Sequence, residues 1–268
     1  MTIKINKLNK QIGNSGSFLS VLTDVCLTAR TGHITSILGP SGCGKSTLLN
    51  IIAGLDFADC GYIDLDACVD TVKNTIYSEA NTKKNLRLGN VAYMQQKDLL
   101  LPWRTVIENI ALSLEIKGNN KLDSLSVATA YLADFGLVQF ADNYPHSLSG
   151  GMKQRIAFLR TMLTESPIIL LDEPFSSLDS LTRINLQIWF MDVISRISRT
   201  VVLVTHDVEE AVFMSDKIYV MSERPGHIEN CYEVDFPRPR NTMIISDSKF
   251  MAIKSNLLRD LGVSHVIH

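Results

Sequence analysis

Apolar residues fall along this chain in short bunches whose spacing switches from strand-like to helix-like and back. Val21 to Leu27, closed by a turn at Thr31-Gly32, predicts a strand, and Ile34 to Leu38 predicts a second one that runs directly into a glycine-rich loop. From Ser46 to Ala53, Leu48, Leu49, Ile51 and Ile52 recur at helical spacing, and Gly54 supplies the stop. Gly61 to Val69 predicts a small antiparallel strand pair, the polar run Asn74 to Asn90 an exposed inserted loop, and Val91 to Met94 a further strand. Between Lys97 and Leu163 the period is helical, with amphipathic stretches at Val106 to Ile116 and Ser126 to Phe135, broken at Gly118-Asn119-Asn120 and at Tyr144-Pro145. Strand patterns return at Ile168 to Leu171, Val201 to Thr205 and Lys217 to Met221, with a helix between each pair, the alternation that builds a parallel sheet covered by helices. The expected fold is α/β: a mostly parallel sheet, a small antiparallel β subdomain, and a helical lobe inserted at about residues 97–163 of a unit spanning 1–240. After Pro237-Arg238-Pro239-Arg240 comes a helical tail, 241–268, with Phe250, Ile253, Leu257 and Leu261 on one face and Gly262 at its end.

Composition narrows the classes. With 268 residues, 46% of them hydrophobic, the chain can bury a large core. Its 26 basic and 28 acidic side chains leave a net charge of -2, so no polyanion-coating surface and no nucleic-acid partner are expected. The longest apolar runs, Ile168 to Leu171 and Val201 to Val204, fall far short of the ~18 residues a membrane span needs. Lys4, Lys7 and Lys10 interrupt the N-terminus too often for a secretory leader. Cys26, Cys43, Cys60, Cys68 and Cys231 form no C-x-x-C pair and read as reduced thiols of a protein kept inside the cell, with no zinc site.

Gly39-Pro40-Ser41-Gly42-Cys43-Gly44-Lys45-Ser46 fits G-x-x-x-x-G-K-[ST] and lies between a predicted strand and a predicted helix, as its mechanism requires. Backbone N–H groups of such a loop point inward, and the positive end of the following helix, from Ser46 and Thr47 on, adds to the cradle. The core is therefore expected to be a P-loop NTPase, with Lys45 on the β- and γ-phosphates and the Ser46 hydroxyl on Mg²⁺. Downstream, Ile168-Ile169-Leu170-Leu171 ends in Asp172-Glu173. A buried strand tolerates acids at its end only if something pairs with them. Asp172 is expected to hold Mg²⁺, directly or through water, and Glu173 to act as general base on the attacking water.

Leu148-Ser149-Gly150-Gly151-Met152-Lys153-Gln154-Arg155 opens another helix and makes a second anion-binding terminus. This run resembles the L-S-G-G-x-x-Q-R signature of the nucleotide-binding subunits of ATP-binding cassette transporters, and the resemblance extends from about Val21 to Arg240. It implies ATP and Mg²⁺ as ligands and a homodimer formed on ATP binding, in which Ser149, Gly150 and Gly151 of one subunit close over the γ-phosphate held by the other. It further implies that Gln96 touches Mg²⁺ and the attacking water, with the adjacent Gln95 as alternative. Ser177-Leu178-Asp179 corresponds to the loop linking the two sites, with Asp179 beside the nucleotide, and His206 to the γ-phosphate contact. An aromatic on the adenine is expected upstream of the loop, where Phe18 stands, with Ile12 as an aliphatic alternative.

Within that family, Leu100-Leu101-Pro102-Trp103-Arg104-Thr105-Val106 and Glu223-Arg224-Pro225-Gly226-His227-Ile228 resemble the importers of nitrate, sulfonates, taurine and thiamine-precursor pyrimidines. The resemblance implies a separate integral-membrane permease, an external solute-binding protein that meets the cargo, and a peripheral place on the cytoplasmic face of the membrane. Pro102-Trp103 reads either as an exposed docking knob or as a buried anchor of the helical lobe. Two other functions compete: a soluble cassette ATPase uncoupled from transport, and a small-metabolite kinase, which has no use for Leu148 to Arg155.

Overall fold

The computed structural model describes residues 1–14, 17–65, 87 and 89–263. In chain order the strands are β1 (Ile3–Asn14), β2 (Ser17–Ala29), β3 (Ile34–Leu38), β4 (Cys60–Leu65), β5 (Val91–Met94), β6 (Ile168–Asp172), β7 (Thr200–Thr205), β8 (Lys217–Met221) and β9 (Ile228–Glu233). The helices are α1 (Lys45–Ala53), α2 (Val106–Ile116), α3 (Lys121–Asp134), α4 (Gly150–Met162), α5 (Ser180–Ser195), α6 (Val208–Met214) and α7 (Ser248–Asp260). Strands pair as a sheet of order β5-β6-β7-β3-β8-β9, parallel except for β9, and as an antiparallel sheet β2-β1-β4.

The unbroken apolar runs of β6 and β7 have a simple cause. Ile169, Leu171, Val201 and Leu203 face the core under the helices, whereas Ile168, Leu170, Val202 and Val204 face a second core shared with α1 and the antiparallel sheet. A strand buried on both faces has no reason to alternate. In the helical lobe, α2 begins at a capping box formed by Thr105 and Glu108, and α3 is capped by Asn120, which starts it five residues before the periodic stretch noted at Ser126.

Two strands, β1 and β9, carry no legible period in the sequence. Along β1, Ile3, Ile5 and Leu8 are buried, but bulges between Ile5 and Leu8 and between Leu8 and Lys10 shift the register and erase the two-residue period. β9 is an edge strand carrying only half-buried Ile228 and Tyr232 among polar residues. β4 takes β1 as its antiparallel partner rather than folding back within Gly61 to Val69, whose part beyond Leu65 lies outside the described residues. So does most of the proposed inserted loop; of 74–90 only Arg87, Gly89 and Asn90 are described, in the turn that enters β5.

α7 packs on α6, with Phe250 and Leu257 fully buried in the same core as the central sheet. Asp216 receives both Arg238 and Arg240 and ties the segment leading to α7 back to the start of β8. Because Phe250 is wholly enclosed beside Phe236, Phe250→Ala is expected to cost about 3–5 kcal/mol of stability, read by urea unfolding. A cost below about 1 kcal/mol would mean that α7 contributes little to the core.

Candidate functional site

The strand order dictates where chemistry collects. β5, β6, β7 and β3 lie side by side and parallel, so the residues that leave their carboxyl ends meet along one edge, where α/β sheets bind ligands. Those residues are Gln96 after β5, Asp172 and Glu173 at the end of β6, His206 after β7, and the loop Gly39 to Gly44 after β3.

Close packing requires glycine in that loop. A Cβ on Gly44, whose φ is 114°, would lie 2.8 Å from Leu22 Cδ2, and one on Gly39 would lie 2.9 Å from the carbonyl oxygen of Met221. α1 begins at Lys45, which is 4% exposed, and the Lys45 Nζ donates to the carbonyls of Gly39 at 2.8 Å and Pro40 at 2.7 Å. A buried ammonium needs such acceptors. Cys43 is buried, and burial pushes its thiol pKa up against the opposing charge of Lys45. Ser41, Gly42 and Ser46 are exposed, and Thr47 is half-buried on the first turn of α1.

Asp172 is 5% exposed; its Oδ2 accepts from the Tyr93 hydroxyl at 3.1 Å and its Oδ1 is buried without a partner. Burial raises its pKa, while the Ser46 and Tyr93 hydroxyls and the charge of Lys45 pull it back. An orphaned carboxylate oxygen beside a serine hydroxyl is the oxygen-donor chemistry that a hard divalent cation such as Mg²⁺ takes.

Glu173 follows in the left-handed region, φ 45°, with its N–H held by the Val204 carbonyl at 2.9 Å. That turn aims its side chain at two neighbours: Oε2 accepts from Gln96 Nε2 at 3.3 Å and faces His206 Nδ1 at 3.1 Å. Gln96 also donates to Ser176 Oγ, whereas among the described residues the Gln95 side chain makes no hydrogen bond. The fold therefore turns Gln96 toward Glu173 rather than Gln95. In the first turn of α6, Glu210 is buried and pushed up to about 8 by desolvation, its backbone N–H donating to Asp207 Oδ1.

Ser149 caps α4, its Oγ accepting from Met152 N at 3.4 Å, and Ser149 and Gly150 are exposed. A Cβ on Gly151 would meet Thr182 Cγ2 at 2.8 Å, so this helix start packs on the segment around Leu178 and Asp179. Asp179 caps α5, and the Thr182 N–H it accepts lowers its pKa. Among the described residues no hydrogen bond or ion pair joins Ser149, Gly150 or Gly151 to the loop Gly39 to Thr47. Arg183, unnoticed in the sequence, donates to the Leu178 carbonyl at 3.0 Å and to Asp207 Oδ2 at 3.2 Å, bridging the segment around Asp179 and the one around His206.

Phe18 lies on β2 opposite Gly13 and is 68% exposed, and Ile12 beside it is 52% exposed. Trp103 is 71% exposed, which removes its reading as a buried anchor of the lobe. Tyr93 reads in the sequence as core, a tyrosine in an apolar strand, yet its hydroxyl reaches Asp172 Oδ2.

Comparison with known proteins identifies the family. The ABC transporter family matches residues 22–176. The chain is 38% identical over 241 residues to the formylaminopyrimidine import ATP-binding protein ThiZ of Halalkalibacterium halodurans, covering 90% of this chain and 88% of ThiZ. It is 35% identical over 267 residues to the aliphatic sulfonates import ATP-binding protein SsuB of Bacillus cereus, covering 100% of this chain and 98% of SsuB. Among solved structures, the dimeric post-hydrolysis state of the ATP-binding cassette MJ0796 bound to ADP and Pi superposes with a TM-score of 0.72 at 29% identity, covering 88% of this chain and all of that one. No helix among the described residues is long and apolar enough to cross a membrane. The family match spans more than half of the chain and the relatives span nearly all of it, and the chain therefore belongs to the ABC transporter family as an ATP-binding cassette.

Proposed function

We propose that this cassette is the ATP-hydrolysing motor of an importer, docked on the cytoplasmic face of a separate permease that draws solute from an external binding protein. The observation that carries the hydrolytic part is the convergence of Gln96 and His206 on Oε2 of Glu173, one residue from the buried Asp172. In this reading Gly39 to Thr47 wrap the phosphates, and Lys45 turns from the loop carbonyls to the β- and γ-phosphates. Glu173 takes a proton from the attacking water, Gln96 orients that water, and His206 meets the γ-phosphate. Ser46 and Asp172 would hold Mg²⁺, with Gln96 at its border; bound there, the cation would supply charge neutralisation to the phosphate oxygens. Phe18 or Ile12 would meet the adenine. Ser149, Gly150 and Gly151 would complete the site of a second, head-to-tail copy, beside Asp179.

The relatives named for sulfonate and formylaminopyrimidine import favour a small anionic or pyrimidine solute for the transported class. Exposed Trp103 beside Pro102 would dock on the permease, and co-purification with an integral-membrane permease subunit separates this reading from a soluble ATPase uncoupled from transport. Lys45→Ala is expected to weaken ATP binding by about two orders of magnitude, since a desolvated charge partner of the phosphates is lost. Titration with a fluorescent ATP analogue checks it, with circular dichroism as the control for folding; unchanged affinity would remove the phosphate-loop role.

A further inference from the structure

The phosphate loop is gripped from outside by the turn between β8 and β9. Arg224 straddles the Gly42 carbonyl, its Nε at 3.1 Å and its Nη2 at 2.7 Å, while Lys45 takes the carbonyls of Gly39 and Pro40 from within. A peptide unit is planar, and its C=O and N–H point in opposite directions. Holding the Gly42 oxygen on the guanidinium therefore turns the Cys43 N–H away from Arg224.

The turn is itself immobilised. Gly226 donates to the Val21 carbonyl at 2.9 Å and accepts from Thr23 N at 3.0 Å, which fastens it to β2. The Ser222 hydroxyl accepts from His227 N at 2.9 Å and donates to the Pro225 carbonyl at 3.2 Å, which closes the turn on itself. Gly226 also sits so close that a Cβ there would fall 2.3 Å from the Cys43 carbonyl oxygen. Successive loop peptides, 42–43 and 43–44, are thus braced by one rigid turn, the first through a two-pronged hydrogen bond and the second through backbone contact.

We propose that Arg224 is a positioning residue for nucleotide binding, which orients the Gly42–Cys43 peptide so that the Cys43 N–H faces the phosphates before they arrive. The inference rests on the reading of Gly39 to Ser46 as the phosphate site. Preorganised donors bind more tightly because the ligand does not have to order them, so the effect falls on affinity rather than on turnover. Arg224 is exposed and its loss opens no cavity, which keeps the variant folded.

Arg224→Ala and Arg224→Lys should be compared with the unaltered chain by titrating ATP and ADP and by steady-state hydrolysis. Arg224→Ala is expected to raise both dissociation constants and the KM for ATP about tenfold, with kcat within about twofold and Tm within a few degrees. Arg224→Lys keeps the charge but lacks the planar fork, and is expected to recover less than half of the loss. Full recovery by lysine, together with a loss that disappears at high salt, would assign the effect to charge alone and overturn the proposal. Unchanged affinity in Arg224→Ala, or a fall in kcat at constant KM, would overturn it as well. Failure of the unaltered chain to bind ATP would instead refute the phosphate site itself, so the two ideas fail separately.

Discussion

Glu173→Gln is expected to lower ATP turnover by about two to four orders of magnitude while leaving ATP affinity within a few-fold, the effect of losing a general base. Glutamine keeps the size and the acceptor oxygen of glutamate, so Gln96 retains a partner; what vanishes is the ability to take a proton. The backbone strain at Glu173, φ 45°, is the same for both side chains, and stability should hardly change. Bound ATP that cannot be cleaved should also hold two subunits together, so sedimentation with ATP and Mg²⁺ is expected to show a dimer for the variant and mostly monomer for the unaltered chain after turnover. Retained turnover would take Glu173 out of the role and direct attention to His206, the other group at that oxygen.

The sequence was most legible where one residue type has one physical reason to be there. The fully buried β6 and β7 announce themselves by the unbroken apolar runs Ile168 to Leu171 and Val201 to Val204, and the loop from Gly39 to Ser46 needs its glycines at fixed places because Leu22 and Met221 press on it. Legibility failed where the period was broken or the pairing was distant. Bulges hid β1, and β9 carries too little apolar surface to alternate visibly. Arg183 and Arg224 are surface-type residues in any window of sequence, yet in the fold they hold groups contributed by distant segments, the Asp207 carboxylate and the Gly42 carbonyl. Gln96 is preferred over its neighbour Gln95 by its spacing to Leu100-Leu101-Pro102-Trp103, and in the fold it is Gln96 whose side chain reaches Glu173. Phe18 stays open: it sits on an exposed hairpin, where neither packing nor hydrogen bonding fixes what its ring meets.

The cross-subunit role of Ser149, Gly150 and Gly151 yields the other large effect. Gly150→Asp is the variant of choice because a Cβ there meets only Leu178 Cδ2 at 3.4 Å, an ordinary contact, whereas one at Gly151 would strike Thr182. It should spare ATP binding by the isolated subunit yet reduce hydrolysis by about a hundredfold or more, since it sets a negative charge where a partner's γ-phosphate must dock. Mixing it with Lys45→Ala subunits then creates dimers in which one site pairs a sound loop with a sound signature and the other carries both lesions. If one site can fire alone, partial turnover reappears in the mixture; if the sites are obligately coupled, the mixture stays silent. Arg183 makes coupling physically reasonable, because it ties Leu178, against which Gly150 packs, to Asp207 beside His206. Vanadate trapping scored per mixed dimer separates the cases: one trapped nucleotide supports closure across subunits, and none, with normal dimer formation, supports strict coupling. Full hydrolysis by Gly150→Asp as a monomer would refute the shared site.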